Sequence, residues 1–209
     1  MRYLIALLLL TSSMYALSVK EKKDNFRKLI IPAIEHVYDE LNTKYVETEH
    51  YIHRSNSIHK KQISELKKHY KVNTDEELLM RLKPHPKSIA AAQAAMESAW
   101  ATSRFFKKAN NIFGVWSFNK NEPRIAAGET RGTKTIWLKK YDTIEDSIRN
   151  YYKVIATGKA FKVFRKLKMK TENPYELVKK LDKYSEIGDK YGEELSAMIK
   201  YNKFYLLDK

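Results

Sequence analysis

Glu97 is the side chain in this sequence best placed to do chemistry. It is the single charged residue between Ile89 and Ser103, in the run Ile-Ala-Ala-Ala-Gln-Ala-Ala-Met-Glu-Ser-Ala-Trp-Ala-Thr-Ser. A carboxyl in an apolar neighbourhood loses the solvation of its charged form, so its pKa rises and it can hold a proton at neutral pH. Such a group is a general acid, able to protonate a leaving oxygen. The competing reading of the same spacing is a glutamate on the helix rim, in water. Ser98 and Ser103 read as small hydroxyls tolerated in a helix.

The rest of the inventory narrows the chemistry. The chain has no cysteine, which removes thiol catalysis and thiolate metal sites. All six histidines (His36, His50, His53, His59, His69 and His85) fall before Pro86. Residues 86–209 therefore exclude a Ser-His-Asp triad or a histidine-ligated metal of their own. His50 and His53, three apart, share a helix face, but no HExxH pattern accompanies them; they read as solvated, and neither metal nor cofactor is expected. Carboxylates, tyrosines, lysines and amides remain.

The elements that must position Glu97 follow from periodicity and punctuation. Six alanines within 90–99 make a strong helix former that neighbours can approach closely, so a central buried helix is expected. Asn110-Asn111 and Gly114 signal turns, and Phe113, Trp116 and Phe118 offer flat apolar surface beside amides, a combination suited to sugar rings or to an ordinary core. A strand is expected through 133–141. Helices follow from an Asp142/Glu145 cap to about Thr157, from the Asn173-Pro174 cap onward, and after Gly188 to about Phe204. Lys159–Lys170 carries six basic residues and no acid, with Phe161, Phe164 and Leu167 on one side: an amphipathic helix with a solvated basic face that could hold an anionic envelope surface.

Before Pro86, Phe26, Leu29, Ile30, Ala33, Ile34, Val37 and Leu41 recur at helical steps, with Pro32 as an interruption. A second helix is expected over Ile58–Tyr70 and a third from Thr74, where Thr74 and Glu77 fit a capping box. The Pro84-His85-Pro86 triplet marks a boundary between this helical segment, residues 19–85, and a main domain, residues 86–209. Charge shifts there too: 14 basic and 11 acidic residues in the first part, 25 and 14 in the second.

The chain has 209 residues and a net charge of +15, with 43% hydrophobic residues, which excludes disordered and collagenous classes. Arg2 followed by the apolar run Leu4–Leu10 and small residues near Ala16 reads as a secretory signal peptide over residues 1–18. An exported protein meets anionic envelope polymers rather than nucleic acid, so the charge reads as attraction to a wall or membrane surface. The expected location is the periplasm or cell envelope. Oligomeric state is not legible.

Three motifs together, Gln93–Ser103, Asn110-Asn111-Ile112-Phe113-Gly114 and Tyr184-Ser185-Glu186-Ile187-Gly188-Asp189-Lys190-Tyr191, resemble the endo-β-N-acetylglucosaminidase-like domain of glycoside hydrolase family 73, in its Bax-type branch. The resemblance covers roughly residues 86–205. It implies an α+β, mainly helical, lysozyme-like fold with a small β-lobe, and cleavage of peptidoglycan at the β-1,4 bond after N-acetylglucosamine. On that resemblance Glu97 matches the catalytic acid, Tyr184 the tyrosine that supports the chemistry, and Asn111, Phe113 and Trp116 line the sugar cleft, with Trp100 and Tyr191 as further substrate-binding residues. The second carboxylate of the family falls on Glu129, with Glu122 and Glu186 as rivals. Without a second acid, substrate assistance by the acetamido group or a lytic transglycosylase is implied. A non-catalytic peptidoglycan-binding module with a degenerate lysozyme-like fold is the alternative from another class. Ala99 and Ala101 depart from positions often held by glycine, a change expected to tighten helix packing.

Overall fold

The computed structural model describes residues 17–54, 56–131 and 134–209; the expected signal peptide falls almost entirely outside these residues. The first element, α1 (Val19–His53), opens with a complete capping box: the Ser18 hydroxyl accepts from Glu21 N and the Glu21 carboxylate accepts from Ser18 N. Pro32 is carried inside this helix without breaking it. Then come α2 (Ser57–Tyr70) and α3 (Asp75–Leu82), the latter capped by Thr74 as expected, while Glu77 reaches Asn73 N rather than closing the box on Thr74. Helix α4 (Lys87–Glu97) is followed by α5 (Arg104–Ala109), the strands β1 (Arg124–Arg131) and β2 (Lys134–Lys139), and α6 (Ile144–Thr157). The cap of α6 is Thr143, which accepts from Asp146 N, rather than Asp142. Three more helices, α7 (Lys162–Lys168), α8 (Pro174–Leu177) and α9 (Lys190–Tyr201), and a 3-10 turn at Phe204–Asp208 complete a mainly helical α+β architecture. Among the described residues no helix is long and apolar enough to cross a membrane.

The core is built around α4. Ser88 through Ala95 are all buried, because alanine side chains let helices close in from several directions. Phe26, Ile30, Ile34 and Val37 of α1 are fully buried in the same core, alongside Ile148, Tyr151 and Ile155 of α6 and Leu195 and Ile199 of α9. The expected boundary at Pro84-His85-Pro86 therefore does not separate two cores: the near half of α1 completes the core around α4. The far half of α1 packs with α2 and α3 around a smaller cluster of Ile63, Val72, Leu78 and Leu82.

Helix α4 stops at Glu97, short of the longer helix its sequence suggests. Ser98 caps it, and Ala99, Trp100 and Ala101 then adopt left-handed backbone, with φ of 51°, 61° and 59°. Each such residue with a Cβ costs roughly 1–2 kcal/mol. The turn is held by Trp100 N donating to Ala95 O at 2.9 Å, Ser98 Oγ donating to Ala94 O at 2.5 Å, and Ala101 N donating to Ser98 Oγ at 2.8 Å. Trp100 anchors it from outside: its ring stands edge-on to Phe26 at 5.3 Å, with Phe204 at 6.2 Å and the Lys23 ammonium over its face at 4.8 Å. The alanines at 99 and 101 thus strain a turn rather than tighten a helix.

The two strands pair antiparallel, Arg124 with Lys139 and Arg131 with Lys134, and the register breaks between Ala126 and Thr130, where three β1 residues face one of β2. Gly128 lies in this bulge at φ 87°, which favours a residue without a Cβ. Arg104 at the start of α5 donates to the carbonyls of Ala126 and Ala127 at 2.6 and 2.8 Å, fastening the lobe to the helical body.

The basic segment Lys159–Lys170 divides. Lys159, Lys162, Lys166 and Lys170 are exposed, but Arg165 and Lys168 are turned inward: Arg165 donates to the carbonyls of Ile155 and Gly158, and Lys168 to that of Lys83. The expected solvated face has lost two of its cations to the core, because the carbonyls at the end of α6 and before α4 need donors there.

Truncating Phe26→Ala should destabilise the protein by about 3–5 kcal/mol, read by chemical denaturation, because it empties the pocket against Trp100. Ala99→Gly should act in the opposite direction from an ordinary helical Ala→Gly change. Ala99 is exposed, so only its backbone is relieved, and stability should hold or rise by up to about 1 kcal/mol.

Candidate active site

Glu97 occupies the last position of a helix whose preceding turns are buried, and the rim reading and the sheltered reading of its sequence meet there. Its side chain is exposed enough to be reached from solvent, while protein crowds the carboxyl from behind. Desolvation raises its pKa above the ordinary glutamate value; the Tyr191 hydroxyl, donating to Glu97 Oε1 at 2.8 Å, opposes that rise by stabilising the carboxylate. Water at the exposed side limits how far the shift can go. The arrangement suits a group that must hold a proton and still touch a substrate.

Tyr191, in the first turn of α9, is itself buried and accepts from Gln93 Nε2 at 3.0 Å. Burial and the neighbouring Glu97 carboxylate push its pKa far up, so it remains a neutral donor. Tyr184 stacks on Tyr191, with ring centroids 5.6 Å apart and planes 7° from parallel, and its pKa too is pushed well up by burial and by Glu97. The sequence-expected Glu97, Tyr184 and Tyr191 are therefore brought together, with Tyr191 holding the direct bond. Gly192 follows closely: a Cβ there would lie 2.9 Å from the Val178 carbonyl, so a glycine lets α9 pack against the chain at Val178 and deliver Tyr191.

Other expected site residues stand elsewhere. Asn111 is buried, with all of its amide committed: Nδ2 donates to Val115 O and Lys139 O, and Oδ1 accepts from Val115 N, each at 2.9 Å. Phe113 is buried and stacked on Tyr151 at 3.9 Å. Trp100 is turned toward α1. The polar and aromatic groups of these three are engaged in contacts within the protein. Trp116 differs: it bridges to Leu138 of β2, is 41% exposed, and has the exposed Phe118 ring 6.1 Å away, an aromatic surface on the lobe side.

Of the acids considered as a second carboxylate, Glu129 lies in β1 within the bulge, and its side chain is outside the described part of the structure. Glu122 accepts from Ser117 Oγ at 2.7 Å and pairs with Lys139 at 3.1 Å, contacts that lower its pKa and anchor the loop before β1. Glu186 is exposed in the turn before α9. Gln93, Tyr151 and His85 were not singled out from the sequence, although the i, i+4 spacing of Gln93 and Glu97 puts both on one face of α4.

Comparisons with known proteins agree with this architecture. The family model described as mannosyl-glycoprotein endo-beta-N-acetylglucosaminidase matches residues 75–204, beginning within α3 rather than at Pro86. "Protein bax" of Escherichia coli (strain K12) is 29% identical over 132 residues, covering 60% of this chain and 46% of that protein, so the chain matches less than half the length of this relative. Two solved structures share the fold: the N-acetylmuramoyl-L-alanine amidase from Staphylococcus aureus (TM-score 0.55, 16% identity, 90% of this chain and 43% of that one), and the catalytic domain of the autolysin Auto from Listeria monocytogenes (TM-score 0.50, 16% identity, 92% and 99%). With more than half of its length matched by that model, the chain belongs to the glucosaminidase family, glycoside hydrolase family 73, and its similarity to the Bax protein supports the Bax-type branch.

Proposed function

We propose that this protein is an exported peptidoglycan hydrolase that cleaves the β-1,4 bond after N-acetylglucosamine, with Glu97 as the general acid. The observation that carries the reading is the placement of Glu97: a carboxyl at the end of a buried alanine helix, raised in pKa, reachable from solvent and held by the Tyr191 hydroxyl. Protonation of the glycosidic oxygen by such a group lets the bond break toward an oxocarbenium-like state. Tyr184 and Tyr191 keep the carboxyl in place as it gains and loses its proton. Trp116 and Phe118 supply a stacking surface for a sugar ring, and Glu129 on the lobe is the second carboxylate. The names of the fold neighbours, an amidase and an autolysin, favour a cell-wall substrate. The exposed Lys159, Lys162, Lys166 and Lys170 add electrostatic attraction to an anionic envelope, which salt should weaken.

Digestion of purified sacculi with mass spectrometry of the released ends tests the reading. Wild type should release reducing N-acetylglucosamine ends, and Glu97→Gln should lower the rate by at least about 100-fold. Anhydro-muramic ends would make the protein a transglycosylase, and binding without release a non-catalytic module. Glu97→Gln should leave the melting temperature unchanged or slightly raised at pH 7, since the amide oxygen still accepts from Tyr191 and a partly desolvated charge is removed.

The pH dependence has a fixed sign. Glu97 works protonated, so kcat/KM should fall as pH rises through its elevated pKa. That limb should lie above the ordinary glutamate range, and a limb at or below it would contradict the general-acid role.

A further inference from the structure

Behind Glu97, on the side away from solvent, runs a continuous line of side-chain hydrogen bonds. Tyr191 Oη donates to Glu97 Oε1, Gln93 Nε2 donates to Tyr191 Oη at 3.0 Å, Tyr151 Oη donates to Gln93 Oε1 at 2.5 Å, and His85 Nε2 lies 2.8 Å from Tyr151 Oη. The line crosses from α9 through α4 and α6 to the segment between α3 and α4. Gln93 and Tyr151 are fully buried, and His85 is 1% exposed.

Proton bookkeeping gives the line a direction. Each tyrosine has one hydroxyl hydrogen. Tyr191 spends its hydrogen on Glu97 and so accepts from Gln93, and Tyr151 spends its hydrogen on the Gln93 carbonyl and so must accept from His85. The His85 proton therefore sits on Nε2, and every donor in the line points toward the Glu97 carboxylate. Bonds aligned head to tail polarise one another, so a distant link strengthens the terminal one. His85 suits the origin of such a line. It is packed between Tyr151, Tyr152 and Phe164, and burial, together with the Lys168 ammonium, holds its pKa well below the usual histidine value. It stays neutral, with a single proton to give. A core needing only packing would place an apolar side chain at position 93, since a buried amide is tolerated only when its bonds are complete.

We propose that Gln93, Tyr151 and His85 are positioning residues: their oriented hydrogen bonds fix the Tyr191 hydroxyl on Glu97 and set the orientation of the reacting carboxyl. This rests on the reading of Glu97 as the general acid. The titratable groups that interact with Glu97 are Tyr191 on α9, Tyr184 in the preceding turn and Tyr151 on α6; those that interact with His85 are Lys168 on α7 and the tyrosines of α6.

The test is a carboxyl NMR titration of the purified protein, with the Glu97 signal identified by its loss in Glu97→Gln. Tyr151→Phe and Gln93→Met, neither touching substrate, should move the Glu97 titration to higher pH by about half a unit, threefold in protonated fraction, because a weakened donor stabilises the carboxylate less. On glycan, kcat should fall several-fold with KM unchanged, and the alkaline limb should move with the titration. His85→Gln, which keeps an N–H donor toward Tyr151, should restore most of what His85→Phe loses. Nitrogen NMR of wild type should find His85 neutral with its proton on Nε2. A folded Tyr151→Phe or Gln93→Met protein whose Glu97 titrates like wild type overturns the proposal, as does a proton on His85 Nδ1, which reverses the line. If the titration shifts and no glycan is cut by wild type, the line stands and the hydrolase reading falls.

Discussion

A helix buried on every side can carry a carboxylate in contact with water only where it emerges, and that constraint organises this protein. The alanines of α4 admit α1, α6 and α9 to close range, and beyond the buried run Ser88–Ala95 the first charged side chain to meet water is Glu97. The helix ends at that residue, with Ser98 as its cap. The left-handed turn at 99–101 performs that ending, and its strain is sustained by Ser98 from within and by Trp100 wedged against α1 from without.

The near half of α1 helps to hold this turn. Its Phe26 and Lys23 seat the indole that holds the turn, and the turn fixes the end of α4. The β-lobe is fastened through Arg104 and the short loop built on Asn111, while Glu97 stays on the packed helices.

The sequence made the helical elements legible where apolar periodicity and caps agreed, as in the α1 stripe, Ser57–Tyr70 and the Asn173-Pro174 start. Glu97 was legible because one charge in fifteen residues is conspicuous. What it hid was direction. Asn111, Phe113 and Trp100 have the residue types of a sugar site, yet a side chain's type does not say whether its bonds are spent inside or outside. Arg165 and Lys168 look like a solvated face because helix periodicity cannot show carbonyls of other segments waiting for donors. The end of α4 was invisible for a different reason: alanine has high helix propensity, and only the tertiary anchoring of Trp100 turns the backbone left-handed against that preference.

The ends of the fold meet beside this turn. Lys23 donates to Asn202 Oδ1 and Arg27 to the Asn202 carbonyl, contacts spanning 179 and 175 positions, and Phe204 closes on Phe26 and Trp100. Without Phe204 the strained turn lacks part of the wall that holds it, and the loop these contacts close takes in most of the described residues. The setting of Glu97 thus depends on contacts between residues far apart in the sequence, and a chain that lacks them carries the glutamate without that setting.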